Sequence, residues 1–518
     1  MAGGALKKGN AHRLRVGPHG SGSIEFKLEH RPPESGRGTY DFKAHLVFPT
    51  SLGVTEELLN RERFYANRRS SLRLHPPREP LQKLANEVLN VDHGGALIRR
   101  QHRLFAQRLR YSMSAQVRAS RRLLQQGEST QARDLFRLLV ADLVEARRPL
   151  ATVQSQLPAG RLREVSRACD EWISLEMTTR LLQLAYRFQK RNVPPPEGLW
   201  QFLQQESVWR SQQSYPSAPL HPERHGEALL TRLSRLKKIV ASVLYLDLEN
   251  RGPSRGAQDL FFAIAASIAM LWAVGMQFVA WWVGGNPFQA DASTFTITTF
   301  VVVAVFAYAL KDKIKEGLRS WFRAKLPVWL YDREQIGFDD EGDSVASSRE
   351  TIEYHQLAEL PLTVQRWYED SGTLDVPVHF VSYSRRTEVN AKRLRQGRPD
   401  MDGLTEIIRL SVRPWLTHMD GPYEPVWLPR GKQVEKHEAK RVYPVLLMLE
   451  MRARDGDERI RLTRRLELSR NGVEKVRKQD FEGFITEVPE QSLETLQPVT
   501  TGELMAFDPD EEEREVID

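Results

Sequence analysis

One cysteine, Cys169, is the whole thiol complement of this 518-residue chain. That excludes an internal disulfide and Cys-x-x-Cys chemistry, and it agrees with a reducing compartment. Short catalytic signatures are missing as well. No Gly-x-Ser-x-Gly elbow occurs, and Gly431-Lys432 has Val426 where a phosphate-binding loop requires its first glycine. Gly17, Gly20 and Gly22 follow no expected strand, so they make no dinucleotide fingerprint.

Metal patterns break off in the same way. His437-Glu438 opens the zinc-protease pattern, but Arg441 stands where the second histidine belongs. His221 and His225 have the spacing of two ligands on one helix face, yet Pro222 reads as a first helical turn and no third ligand is evident. Asp339, Glu341, Asp343 and Glu350 have the spacing of calcium-loop ligands, but Ser344 replaces the glycine that loop needs, so a solvated acidic linker is expected. No metal or cofactor is expected.

Two stretches lack charge altogether, 260–284 and 292–310. At 1.5 Å per residue they reach roughly 37 Å and roughly 28 Å as helices, against a hydrocarbon core of about 30 Å. A transmembrane hairpin is therefore expected, its second span softened by Thr294, Thr296, Thr298 and Thr299. Ala265, Ala269 and Ala273 recur every four residues, a smooth stripe for close helix packing.

Cations flank this hairpin on one side only. Arg232, Arg235, Lys237, Lys238, Arg251 and Arg255 precede it; Lys311, Lys313, Lys315, Arg319, Arg323 and Lys325 follow it; residues 285–291 have none. The positive-inside rule then places both termini in the cytoplasm of an integral membrane protein of bacterial inner-membrane type. Residues 1–22 contain no apolar run, so no signal peptide is expected. The six cations of 311–330 lie on a helix whose apolar face (Ile314, Leu318, Trp321, Phe322, Leu326) ends at Pro327. Two readings fit: a helix lying among lipid headgroups, or the second span continuing inward as a stalk.

Acidic residues are absent between Asp92 and Glu128, where Arg99, Arg100, Arg103, Arg108, Arg110, Arg118, Arg121 and Arg122 crowd one expected helix. Phe105, Leu109, Met113 and Val117 give it a buried face. The guanidiniums suit phosphates or carboxylates of a partner, or pair with Asp134, Asp142, Glu145, Glu164 or Asp170 on neighbouring helices. Residues 1–250 hold 40 Lys and Arg against 24 Asp and Glu, and the remainder 35 against 43. The two portions should attract one another or different partners.

The expected organisation is a disordered leader over 1–22, a β-hairpin and short helix over 23–80, a helical bundle over 81–250, the hairpin over 260–310, the basic helix over 311–330, a β-rich domain over 331–485 and an acidic tail over 486–518. Within the bundle, Leu229, Leu233, Leu236, Val240 and Val243 alternate steps of four and three, read as packing inside the bundle. In the β-rich domain, Asp455-Gly456 and Asn471-Gly472 separate alternating runs, predicting a three-stranded antiparallel meander with type I′ turns.

The fold class is thus an α+β membrane protein: helical bundle, two-helix membrane hairpin, antiparallel β-rich domain. The leading functional expectation is a non-enzymatic, membrane-anchored scaffold or sensor whose arginine-rich helix binds an acidic partner: protein, lipid headgroup or nucleic acid. An oligomerising effector or pore, and a membrane-bound enzyme with a site scattered in sequence, are the alternatives. The partners expected are the lipid bilayer and either a protein or a second copy of the chain.

Overall fold

The computed structural model describes residues 12–478 apart from 34–35, 53, 55–59, 77–78, 90–93, 253–254, 285–292, 330, 341, 371–377, 398–400, 402, 432 and 455–458. The chain begins with β1 (His12–Pro18), β2 (Ser23–His30), β3 (Arg37–Pro49), α1 (Arg61–Asn67) and β4 (Arg68–His75). A helical stretch follows: α2 (Leu81–Ala85), α3 (Gly95–Gln126), α4 (Ser129–Gln156), α5 (Arg161–Lys190), α6 (Gly198–Gln212) and α7 (Pro222–Ala241). Next come β5 (Asp247–Arg251), the long helices α8 (Arg255–Gly284) and α9 (Thr294–Trp329), β6 (Arg333–Phe338), β7 (Ser344–His355), α10 (Leu362–Asp370) and β8 (Val378–Asn390). The remainder is α11 (Ala391–Gly397), β9 (Gly403–Ser411), α12 (Arg413–Leu416), β10 (Tyr423–Arg430), β11 (Gln433–Lys440), β12 (Tyr443–Ala453), β13 (Arg459–Ser469) and β14 (Gly472–Lys478).

The fold is mixed α+β, and every strand pairing among the described residues is antiparallel. One sheet has the order β1-β2-β9-β4, a second β14-β13-β12-β3-β8-β7-β6-β5, and β10-β11 stand apart as a two-stranded hairpin. Alternate residues of β2 (Ile24, Phe26, Leu28) and of β3 (Tyr40, Phe42, Ala44) enter one core shared by the two larger sheets. Period-two burial on both sheets makes this a sandwich.

Two sequence expectations are corrected here. The stretch 24–28 does not pair with 40–48: β2 lies between β1 and β9, while β3 lies between β12 and β8. Alternation fixes which face of a strand is buried but not its partner, and here the partners come from the far end of the chain. The leader is not wholly irregular either, because His12–Pro18 pairs with β2 from His12↔His30 to Pro18↔Ile24. The expected meander is present as β12-β13-β14. Its Asn471-Gly472 turn is not type I′, since Asn471 has no positive φ. Glycine serves another purpose there. Gly472 has φ +130° and a Cβ on it would overlap the carbonyl oxygen of Ser21, which accepts a hydrogen bond from Val473 N–H at 2.7 Å. The Asp455-Gly456 turn and the acidic tail lie outside the described residues.

Helices α2 to α7 enclose a second core. Phe105, Leu109, Met113 and Val117 of α3 are all buried in it, worth roughly 1.5–3 kcal/mol each by area removed from water. α3 stops where Gly127 turns left-handed at φ +90°. The α7 seam also packs inward, with Leu236 and Val240 buried and Leu229 and Leu233 against them. The helix ends at Ala241, and Asp247–Arg251 forms β5.

β5 and β6 are hydrogen-bonded neighbours, from Asp247↔Phe338 to Arg251↔Glu334, and α8 and α9 are the whole connection between them. Within α8, Leu260–Val283 is long and apolar enough to cross a membrane, with mean hydropathy 1.9 and only 17% of it buried. It is the one such helix among the described residues. No second such span is found among the described residues, so the expected two-helix hairpin is not shown; the uncharged start of α9, Thr294–Leu310, is about 25 Å long. Ala265, Ala269 and Ala273 are buried, as expected of a packing stripe, and Leu318 of α9 meets Ala265. α9 runs on through Pro327 to Trp329, so the expected stop at Pro327 is corrected.

Candidate functional site

Period-two alternation on β7 and β8 sends neighbouring charges in opposite directions. Glu350 and Arg385 point between the sheets; Arg349 and Arg386 point to solvent.

The inward set is a sealed ionic network. Arg385 pairs with Glu350 and Glu406, and Arg68 pairs with Glu350; the Arg385, Glu350 and Glu406 side chains have no exposed surface. Glu406 also accepts from Tyr40 Oη at 2.8 Å and Thr387 Oγ1 at 3.0 Å. Gln335 Oε1 accepts from Arg385 Nη2 at 2.9 Å and Ser70 Oγ at 2.6 Å. Burial and then the Glu406 charge push the Tyr40 phenol well above its ordinary range, so it remains a donor. Six strands meet in this network. Its lack of access fits a structural clasp rather than a reaction site.

The outward set is open. Cross-strand partners share a face, and one row reads Arg251, Glu334, Arg349, Arg386, Asp41, Arg452, Arg459 from β5 across to β13. The next row reads Thr351, Ser384, Lys43, Glu450, Arg461. Along these rows lies a groove of about 600 Å³, with Tyr331 on its wall. Lys43, Arg349, Arg386, Arg452 and Arg454 line it against two carboxylates, Asp41 and Glu450.

Those carboxylates act as organisers. Asp41 accepts from Arg386 Nε at 2.7 Å and Arg454 Nε at 2.9 Å. Partial burial raises its pKa, but the two guanidiniums outweigh that and hold it below the ordinary value. Glu450, likewise raised by burial and lowered further by Arg459 and then Arg461, pairs with them at 2.6 and 3.0 Å. Both acids therefore stay ionised at neutral pH while each shares two arginines. Arg349 pairs with Glu334 at 3.0 Å and lies 5.1 Å from the Tyr331 ring centroid. Lys43 is exposed and has no ion pair among the described residues. The cation excess and the forked geometry of guanidinium suit a ligand bearing several anionic oxygens.

The arginines of α3 are placed differently. Arg108 donates to Glu79 at 2.7 Å and to Glu87 at 2.8 Å. Arg110 is buried 3.4 Å from Glu176, and Arg118 is buried. Arg100 faces Asp340 at 3.7 Å, and Arg103 donates to Ser242 at 3.2 Å. Arg99 and Arg121 are half-buried; only Arg122 is exposed. Glu79 and Glu87 lie around α2, Glu176 on α5 and Asp340 in the β6–β7 turn, whereas Asp170 pairs with Arg147 and Asp134 with Arg137.

Of the basic residues after Leu310, Lys311 lies over the Tyr308 ring at 4.0 Å and Arg319 over Phe262 at 5.6 Å. Lys313 is exposed and Lys315 half-buried. Arg323 and Lys325 fall within α9, with side chains outside the described residues. His437 and Glu438 are strand neighbours on β11, pointing to opposite faces, and Glu350, the last ligand position of the calcium-loop pattern, is sealed in the ionic network. Among the described residues no group of three or more His, Cys, Asp or Glu is placed to hold a metal ion.

The sequence carried one signal for the groove: strands with a charged residue at every second position, as at Asp41 and Lys43 or Glu450 and Arg452. Comparison with protein-family models, curated proteins and solved structures gives no match.

Proposed function

We propose that this chain is a membrane-anchored, non-enzymatic receptor or scaffold that holds an anionic partner in the groove of its eight-stranded sheet. The observation carrying this reading is an open groove lined by five cations against two carboxylates, in a sheet whose paired strands β5 and β6 bracket α8 and α9. The acidic partner expected for α3 is assigned to the groove, because most α3 arginines already have protein partners.

The membrane part of the proposal is a two-helix hairpin with both termini cytoplasmic. Support comes from the β5–β6 pairing: a chain that leaves through α8 has to return before β6. Large apolar side chains also lie exposed on both helices, among them Leu271, Trp282, Val305 and Phe306. In water such surface is unfavourable; against lipid it is the ordinary state. Lys311 beside Tyr308 is suited to reach the headgroups from a span slightly too short.

The test is binding of fluorescent tripolyphosphate to the full-length protein in lipid nanodiscs. Replacing Lys43 and Arg452 by Gln should weaken binding about tenfold, equivalent to 1.4 kcal/mol, and more so at low salt. Arg121→Glu with Arg122→Glu should leave it unchanged. The reverse pattern would return the site to α3, and equal affinity in all three proteins would remove the groove.

A further inference from the structure

The hairpin β10–β11 is the most exposed ordered element of the sandwich region. Fifteen of its sixteen strand residues are exposed, including Tyr423, Val426, Trp427, Leu428 and Val434. It is tied to the rest of the chain at its root, where Lys440 pairs with Glu474 and Arg441 with Asp420. A two-stranded hairpin alone is marginal in water, so a persistent one needs a surface to lie on.

We propose that this hairpin docks on the surface of the same bilayer, a reading that rests on the membrane anchoring above. Four observations select lipid. First, one face carries Tyr423, Pro425, Trp427, Pro429 and Val434 with Lys436 and Lys440 against the single acid Glu438, a ring-rich set of net positive charge that prefers the headgroup boundary. Second, each ring has a lysine directly across the ladder, Tyr423↔Lys440 and Trp427↔Lys436, the latter ammonium 5.7 Å from the indole centroid. A ring at the acyl boundary with a lysine reaching phosphate is the arrangement an anionic interface rewards. Third, Pro425 and Pro429 remove two N–H donors from β10, which disfavours strand addition by a second copy along that strand.

The fourth is topological. Antiparallel order places the end of β5, the starts of β6 and β8, the end of β3 and the start of β12 at one end of the eight-stranded sheet. α8 and α9 leave from that end, and the hairpin enters β12 there, two residues before Tyr443. Five strand-to-strand steps of roughly 20–25° turn β12 by about 100–125° from β5. A hairpin continuing β12 would then run along the bilayer plane rather than into it.

Cysteine labelling tests this cleanly, since Cys169 is buried and its thiol is pushed up to about 12, chiefly by burial. Full-length Val434→Cys, Gln433→Cys, Leu271→Cys and Arg137→Cys proteins, carrying an environment-sensitive fluorophore, are reconstituted in phosphatidylcholine–phosphatidylglycerol vesicles. Lipid-borne spin labels should quench position 434 about threefold more than position 433 on the opposite face, and position 137 on α4 should respond only to aqueous iodide. Quenching at 271 but not at 434 overturns the docking and leaves the membrane anchor standing; no quenching at 271 removes the anchor itself. A blue shift at 434 that grows with protein density, without lipid quenching, would assign the face to a second copy and also overturn the proposal.

Discussion

Arg385 on β8 and Glu350 on β7 form an ion pair in which neither side chain has any solvent-exposed surface. The same guanidinium pairs with Glu406 of β9, which belongs to the other sheet. Removing one partner of a buried pair leaves the other charged and dry, at roughly 3–5 kcal/mol. Arg385→Met should therefore lower the thermal unfolding midpoint markedly, while Arg385→Met combined with Glu350→Gln and Glu406→Gln should recover part of the loss. Differential scanning fluorimetry in detergent decides; an unchanged midpoint in the single variant would show that the apolar core alone joins the sheets.

Acid should loosen the protein through its buried histidines. Burial and then His12 lower His30 to about 3, and burial alone lowers His102 to about 4, so both are neutral in the folded state. An unfolded histidine titrates near 6.5, so below that pH the unfolded chain holds more protons. Stability is then fully present above pH 6.5 and falls as pH drops toward 4 and then 3, by up to about 1.4 kcal/mol per pH unit for each group. His102 is the sharper case, because neither ring nitrogen has a hydrogen-bond partner among the described residues. His102→Leu should stabilise the protein by about 1 kcal/mol and flatten the acid limb of its unfolding curve; a variant with the parental pH slope would show that His102 contributes nothing to it.

Gly472 should not tolerate a side chain. Its positive φ and its approach to the Ser21 carbonyl leave no room for a Cβ, so Gly472→Ala should cost roughly 1–3 kcal/mol, whereas Gly198→Ala at the open start of α6 should be neutral or stabilise by up to about 1 kcal/mol. Urea midpoints of the two variants provide the comparison.

What was legible in the sequence was local. The α3 stripe from Phe105 to Val117 and the β12-β13-β14 meander announce themselves within a few turns or a single hairpin. The groove does not, because Asp41 meets Arg386 and Arg452 only after β3 has been inserted between β8 and β12. Nothing in a period of two names a partner more than 300 residues away. Arginine density on α3 pointed to an anion site for a similar reason: composition counts cations but not Glu79, Glu87 or Glu176, which fold against them.

The acidic run 508–518, seven acids against Arg514, has the charge the groove lacks. If it competes for those cations, truncation after Phe507 should raise tripolyphosphate affinity about threefold at low salt and lose that gain as the screening length shrinks below about 8 Å. Isothermal titration of the full-length and truncated proteins in nanodiscs reads it directly, and identical affinities would exclude the competition. In the Lys43→Gln, Arg452→Gln background the truncation should have no effect, which separates groove competition from a change in net charge.

The pairing of β5 with β6 makes the last prediction, on topology, unusually strict. Asn250 and Gln335 face one another across that pair, and Gln335 Nε2 donates to Asn250 Oδ1 at 2.9 Å. Two residues so bonded share one side of any membrane, so the chain between them crosses an even number of times. On the proposed reading, in which α8 spans, α9 spans as well despite its short uncharged stretch, and the positive-inside rule predicts a cytoplasmic location for the shared side. Reporters inserted after Asn250 and fused at the C-terminus should both be active in the cytoplasm and silent outside it. A C-terminal reporter active only outside would mean an odd number of crossings, and would require β5 and β6 to be apart in the membrane-bound protein.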